Sequence, residues 1–187
     1  VRGASVRAAS AKSASAKTAA PVTAYVADNG TDTVTPIATA TSTAGAAITV
    51  GEAPGGVAIT PNGKTVYVAN YESGTVTQIS TATSTPGPAI HVGSSPEDLV
   101  ITPNGKTVYV GNNGSDTVTP ITTATNVAGK AIKAGLGPTS LAVTPNGSAV
   151  YVTNVASSNV TPIVVATGKP GKAIRVGNSP VGIAITP

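Results

Sequence analysis

Four tyrosines spaced 42 residues apart, four short strand signals inside every such period, and turn residues at each junction together predict an all-β fold. The fold class is a β-propeller of four-stranded antiparallel blades, and the chain holds about four blades' worth of strands. Tyr25, Tyr67, Tyr109 and Tyr151 carry the period, and Pro54, Pro96, Pro138 and Pro180 carry it independently. Gly45, Gly87, Gly129 and Gly171 keep the same spacing, as do Gly51, Gly93, Gly135 and Gly177, with no insertion in any copy. A helical solenoid is the competing repeat architecture, but no long segment shows a helical apolar period.

The unit that begins at Pro54 justifies each element in turn. Residues 57–60 form the first strand, closed by Pro61-Asn62-Gly63. Residues 65–68 form the second, and polar residues 70–74 end it. Residues 75–79 form the third, followed by a longer link through Thr85-Pro86-Gly87 to the fourth at 89–92, which stops at Gly93. The Asn-Gly pairs at Asn62, Asn104 and Asn146 favour a tight hairpin with positive φ at both central residues. The first strand of each unit is expected nearest the ring axis and the fourth at the rim.

Composition agrees. Charged residues make up 10% of the chain and hydrophobic residues 40%, and there is no Phe, Trp, Met or Cys. The core must therefore be built from Val, Ile, Ala and Tyr, which suit a pleated surface. Zero cysteine excludes disulfides, thiolate metal sites and thiol nucleophiles. No apolar run approaches the ~20 residues that span a bilayer. The absence of an initiator Met fits removal of an upstream segment such as a signal peptide.

The net charge of +4 resolves once it is placed. Arg2, Arg7, Lys12 and Lys17 lie in residues 1–20, where a cation recurs every five residues. This segment reads as a flexible basic leader, either a linker left by processing or an arm for a polyanion. Residues 21–187 form the propeller, and there seven Lys and Arg balance seven carboxylates.

The stretch Pro-Asn-Gly-Lys-Thr-Val-Tyr-Val-Ala-Asn, ending at Asn70, and the tetrapeptide Tyr-Val-Thr-Asn at 151–154 resemble the YVTN β-propeller repeat. The resemblance extends over residues 23–187. It implies a propeller of the surface-layer or exported type, secreted or displayed on a bacterial or archaeal cell surface. One departure stands out: Pro36, Pro120 and Pro162 interrupt the third strand, with Gln78 in the other copy. Proline cannot donate to a ladder, so this strand is expected to be bulged, or to face a short or absent outer partner.

The chain opens on second-strand sequence, Ala24-Tyr25-Val26-Ala27, and finishes on first-strand sequence at 181–186. Strand 181–186 is therefore expected to complete the first blade by pairing with Tyr25-Val26. Three arrangements accommodate this: a four-bladed ring closed by one chain, an eight-bladed ring shared by two, or part of a longer propeller.

The chemical inventory is small. His91 is the only histidine and falls on an outermost strand, where a surface position is expected. Glu97-Asp98 opens a first strand where other units carry Gly55-Gly56, Thr139-Ser140 and Val181-Gly182, making it the most distinctive acidic spot near the axis. Glu97, Asp98 and His91 are the candidate binding residues. No catalytic group, metal ligand set or cofactor motif is assigned. Asp28 to Asp32 and Asn112 to Asp116 fall short of a calcium loop and read as turns. The expected function is a non-catalytic exported or cell-surface module that binds a protein, glycan or envelope ligand, or acts as a scaffold. The alternative is a metal-assisted lyase or hydrolase.

Overall fold

The structure is a computed structural model describing residues 22–187, so the expectations for the leader lie outside the described residues. Nineteen strands form four antiparallel sheets, and no α-helix occurs among the described residues. Blade 1 holds β1 (Thr23–Asp28), β2 (Thr33–Ala38), β3 (Thr43–Ala44) and β4 (Ile48–Thr49). Blade 2 holds β5 (Pro54–Ile59), β6 (Thr65–Asn70), β7 (Thr75–Ser80), β8 (Thr85–Pro86) and β9 (Ile90–His91). Blade 3 holds β10 (Pro96–Ile101), β11 (Thr107–Asn112), β12 (Thr117–Thr122), β13 (Val127–Ala128) and β14 (Ile132–Lys133). Blade 4 holds β15 (Pro138–Val143), β16 (Ala149–Asn154), β17 (Asn159–Val164), β18 (Lys169–Pro170) and β19 (Ile174–Arg175).

Blades 2 to 4 therefore each have an inner, a second and a third strand of six residues, and an outer strand split in two. The split explains the proline that breaks the expected pattern. β12 is continuous through Pro120 and pairs along its whole length with β11, with Tyr109 opposite Pro120. The Pro120 carbonyl accepts from Gly129 N at 2.7 Å, so it points to the rim. A strand residue's N–H and C=O point to the same side, so the missing donor also faces the rim and the inner ladder loses nothing. There the outer strand bulges away, pairing only at its two ends as β13 and β14. Pro36 and Gly45, and Pro162 and Gly171, repeat the arrangement, each at 2.7 Å. A Cβ on Gly45 would lie 3.2 Å from the Pro36 ring, which is why the recurring glycine accompanies the proline.

The first hairpin differs from the sequence expectation in its turn type. Gly63 N donates to Thr60 O at 2.8 Å, so Pro61 and Asn62 are the central residues, and only Gly63 has positive φ. Proline holds φ near −65°, which rules out a turn needing two positive φ values. Asn62 instead uses its Oδ1 to accept from Thr60 Oγ1 at 2.8 Å and Lys64 N at 3.0 Å.

The core lies between blades, in three layers. Val34, Ile48, Val66 and Ile79 fill the first, Tyr67, Val76, Leu99 and Ile121 the second, and Tyr109, Val118, Leu141 and Ile163 the third. Tyr67 and Tyr109 are buried between blades, as their recurrence between valines predicts. The inner strands are less buried than the second strands, because one side borders the axis.

The intrachain closure expected of residues 181–186 is not formed. Those residues adopt no strand, and β1 pairs only with β2. Substantial contacts between inner strands link only successive blades, so the chain is a partial propeller with two open ends.

Candidate functional site

The turns between second and third strands emerge at the same end of the sheets as the linkers that carry each outer strand to the next inner one. At this loop face the two sets interlock. Glu52 N donates to Ser73 Oγ at 2.6 Å, Ser94 N to Ser115 Oγ at 3.2 Å, and Leu136 N to Ser157 Oγ at 2.9 Å. From the other side, Ala53 N donates to Asp32 Oδ1 at 2.9 Å and Gly137 N to Asp116 Oδ1 at 2.8 Å. The first and third linkers are thus held between the loops of two blades, and the second, where Gly74 replaces the aspartate, has the serine contact alone of these two. Asp32 and Asp116, the residues with a faint calcium-loop spacing, are caps on the next linker, in a left-handed conformation at φ 56°.

Asp98 is a strut between inner strands. It sits at a β-bulge in β10, where the register with β11 shifts between Pro96 and Asp98. Its Oδ1 accepts from Leu99 N at 2.8 Å, and its Oδ2 accepts from Ser140 Oγ at 3.1 Å and Leu141 N at 2.9 Å in the neighbouring blade. A bulge frees backbone donors from the ladder, and a carboxylate satisfies them. Blade 2 has Gly56 in this place, and a Cβ there would come within 2.9 Å of the Asp98 Cα. Inner strands therefore approach closely near the axis.

Glu97 is the acidic residue at this spot without a strut role. Burial pushes its carboxyl up from the ordinary range, the adjacent Asp98 charge adds to the shift, and a hydrogen bond with the Asn113 side chain partly offsets both. His91 lies on β9 opposite Thr75, exposed at the rim, as expected. Glu97 and Asp98 are thus neighbours on an inner strand, whereas His91 is on an outermost one. Among the described residues, no group of three or more His, Asp or Glu is placed to share a metal ion.

Two features escape a motif search. First, Asn70 is fully buried beneath the loop face, donating its amide to Thr75 Oγ1 at 3.0 Å and Thr77 Oγ1 at 2.9 Å. Asn112 donates likewise to Thr117 and Thr119, and Asn154 to Asn159 Oδ1 and Thr161 Oγ1; the Oδ1 of all three buried asparagines has no hydrogen-bond partner. Asp28 takes this place in blade 1, accepting from Thr33 at 3.2 Å and Thr35 at 2.6 Å. Second, charge is segregated. All seven carboxylates belong to the loop face or the strand ends that feed it. Lys64 and Lys106 occupy turns at the opposite end, and Lys130, Lys133, Lys169, Lys172 and Arg175 lie along the outer strands and the links around them. Phase within the 42-residue period was the signal that could have revealed this.

Four antiparallel sheets in sequence, packed face to face around an axis, define a partial β-propeller. The family model described as lactonase, 7-bladed β-propeller, matches residues 71–183, more than half of the chain, and the protein belongs to that family. None of the curated proteins matches the chain. Among solved structures it is similar to hydrazine synthase of Kuenenia stuttgartiensis, at 26% identity and a TM-score of 0.77, over 81% of this chain and 45% of that one. A putative 6-phosphogluconolactonase from Bacteroides uniformis is 19% identical with a TM-score of 0.73, covering 86% of this chain and 53% of that one. Virginiamycin B lyase from Staphylococcus aureus is 14% identical with a TM-score of 0.69, covering 81% and 51%. The latter two likenesses concern the fold alone, and the chain spans about half the length of these structures. No helix among the described residues is long and apolar enough to cross a membrane.

Proposed function

We propose that this chain is a non-catalytic binding or scaffold segment of an exported or cell-surface propeller of the YVTN type. Its loop face would be the contact surface for a protein, glycan or cell-envelope ligand. The observation that carries this reading is how the carboxylates are used. Asp28, Asp32, Asp98 and Asp116 all accept hydrogen bonds that hold strands and linkers, so their charge serves the scaffold. Glu52, Glu72 and Glu97 are left to give that face its character. Rigid blades presenting one set of loops are a common way to build a binding surface. The test is binding to immobilised cell-wall polysaccharide from a bacterium with a surface layer. Glu52→Gln, Glu72→Gln and Glu97→Gln combined should weaken binding at least tenfold, and His91→Ala should leave it unchanged. Equal binding by all variants would remove the loop face from the reading.

A second reading, a propeller hydrolase, is favoured by Glu97, whose carboxyl is held toward its protonated form beside Asp98. Membership of the lactonase family and the fold shared with the putative 6-phosphogluconolactonase of Bacteroides uniformis direct the choice of substrate to a sugar lactone. Lactone opening followed by pH-stat should give no rate above buffer if the chain only binds. A rate that disappears in Glu97→Gln would establish the hydrolase instead.

A further inference from the structure

Charge divides along the chain as well as between faces. Residues 21–116 hold all seven carboxylates and two lysines, whereas residues 117–187 hold five cations and no carboxylate. Those five are Lys130, Lys133, Lys169, Lys172 and Arg175, on the outer strands of blades 3 and 4 or the links within them, and all are exposed. Exposure here belongs to the rim itself. The equivalent Thr43, Ala46 and Thr49 of blade 1 and Thr85, Pro88 and His91 of blade 2 are exposed as well, although each of those blades has another packed on it.

The fold sets the five cations in one row. Lys130 and Lys172 each follow the glycine that bonds the third-strand proline, so both stand on the rim bulge. Lys133 is paired with Thr117 at the loop end of blade 3. There β14 lies against β18 of blade 4, which carries Lys169. Along blade 4, Lys169 pairs with Val164 and Arg175 with Asn159, so they are about 17 Å apart at ~3.4 Å per strand residue, with Lys172 between them. The carboxylate next to this row in the register is Asp116, and its Oδ1 is committed to Gly137 N at 2.8 Å.

Charged side chains often guard a sheet edge against pairing. The split outer strand recurs in all four blades, yet blades 1 and 2 carry Thr43, Ala46, Thr85 and Pro88 where the later blades place lysines. Backbone shape already blunts those edges, so guarding does not account for the cations. Like charges held in a row repel one another and raise a positive potential that an extended anion relieves. Neither residues 127–134 nor residues 169–176 include an aromatic side chain on which a base could stack. We propose that the rim of blades 3 and 4 binds a flexible, base-free polyanion, an acidic polysaccharide or a polyol phosphate, whose successive anionic groups meet Lys130, Lys133, Lys169, Lys172 and Arg175. This rim is a second surface, separate in position and opposite in charge from the loop face.

The test uses the full chain with Arg2, Arg7, Lys12 and Lys17 changed to Gln in every protein compared, so that the leader supplies no charge. This parent should be retained on immobilised heparin at about 0.05 M NaCl and released as added salt shortens the screening length. Replacing the five rim cations together with Gln should weaken binding at least about tenfold, whereas Lys64→Gln with Lys106→Gln should change it less than about twofold. Lys130→Arg, Lys133→Arg, Lys169→Arg and Lys172→Arg together keep the charge and should keep the affinity, and circular dichroism melts should match across the set. Competition by heparin against inorganic polyphosphate separates a sulfated or uronic sugar from a phosphate chain as the natural source. No retention of the parent overturns the proposal, as does an equal loss from the Lys64 and Lys106 changes, which would assign binding to overall charge. Tighter binding of oligo-dT than of either probe overturns the base-free polymer in favour of nucleic acid. Self-association at low salt that the rim changes abolish, without heparin binding, overturns it in favour of the acidic loop face of a second copy.

Discussion

Tyr67 and Tyr109 occupy the same position in successive blades but differ at the hydroxyl, which makes the pair a controlled experiment. Both rings are buried between blades. The Tyr67 hydroxyl donates to Asn126 Oδ1 in the next blade at 2.7 Å. One period on, Gly168 stands where Asn126 does, so Tyr109 has no equivalent acceptor. Replacing Tyr by Phe removes only the hydroxyl and keeps the ring in place. Tyr67→Phe should cost about 1 kcal/mol, the net worth of an intramolecular hydrogen bond, softened because Asn126 is half-exposed and can take water instead. Tyr109→Phe should cost close to nothing. Tyr67→Ala and Tyr109→Ala should each cost roughly 3–5 kcal/mol through the cavity they leave. Urea unfolding followed by circular dichroism measures all four, and an unchanged m-value shows that the midpoint shift is a stability change. If the two Phe variants lose the same stability, the Tyr67–Asn126 bond is not what distinguishes the blades. If either Ala variant costs under about 1 kcal/mol, the tyrosines are not core.

Three further outcomes follow from the loop face and the strands beneath it. Asp98→Ala should destabilise by about 2–3 kcal/mol, because the Leu141 N–H and Ser140 hydroxyl lose a charged acceptor; amide exchange at Leu141 should accelerate while that at Val110 stays protected. Glu97→Gln should raise the unfolding midpoint at pH 7. Its carboxyl is raised in the fold, so the native state favours the protonated form, and that stabilisation is present below the unfolded value near 4.5 and lost as pH rises through the folded one. The gain from the Gln variant should therefore fade below about pH 4, and a gain independent of pH would exclude this cause. Ala53 and Ser95 hold φ of 52° and 50° where the third linker has Gly137, so Ala53→Gly and Ser95→Gly should each stabilise by a few tenths to about 1 kcal/mol in thermal unfolding.

The blade pattern was legible because the repeat states it several times over. Tyr25, Tyr67, Tyr109 and Tyr151 all fall on second strands, and the third strands lie where the alternating residues place them. The divided outer strand was harder to see, since it depends on the side to which Pro120 turns its missing N–H, and that is set by pairing with β11. The role of Asp98 was hidden for a similar reason: its partners are 42 and 43 residues away and meet it only when two blades stack. The buried Asn70 looked like the polar end of a strand, because nothing in its neighbours reveals that the preceding linker, at Gly51, packs over it. The pairing expected of residues 181–186 with β1 was read from repeat phase, which states what kind of strand a segment resembles but not which strand it joins, and in the structure those residues form no strand.

The split outer strands also bear on how a protein with so few charges keeps its blades apart in solution. A rim strand of six paired residues would offer a continuous row of amides and carbonyls to any passing chain, and only 10% of the residues here are charged to deter it. Each outer strand in this fold instead has two ladder segments of two residues, separated by a bulge over the proline or glutamine. A foreign strand laid along that rim would lose registry after two residues, before its bonds could offset the entropy of holding it straight. The rim is thereby made a poor seed for cross-β growth by backbone shape, leaving its threonines and lysines free to vary.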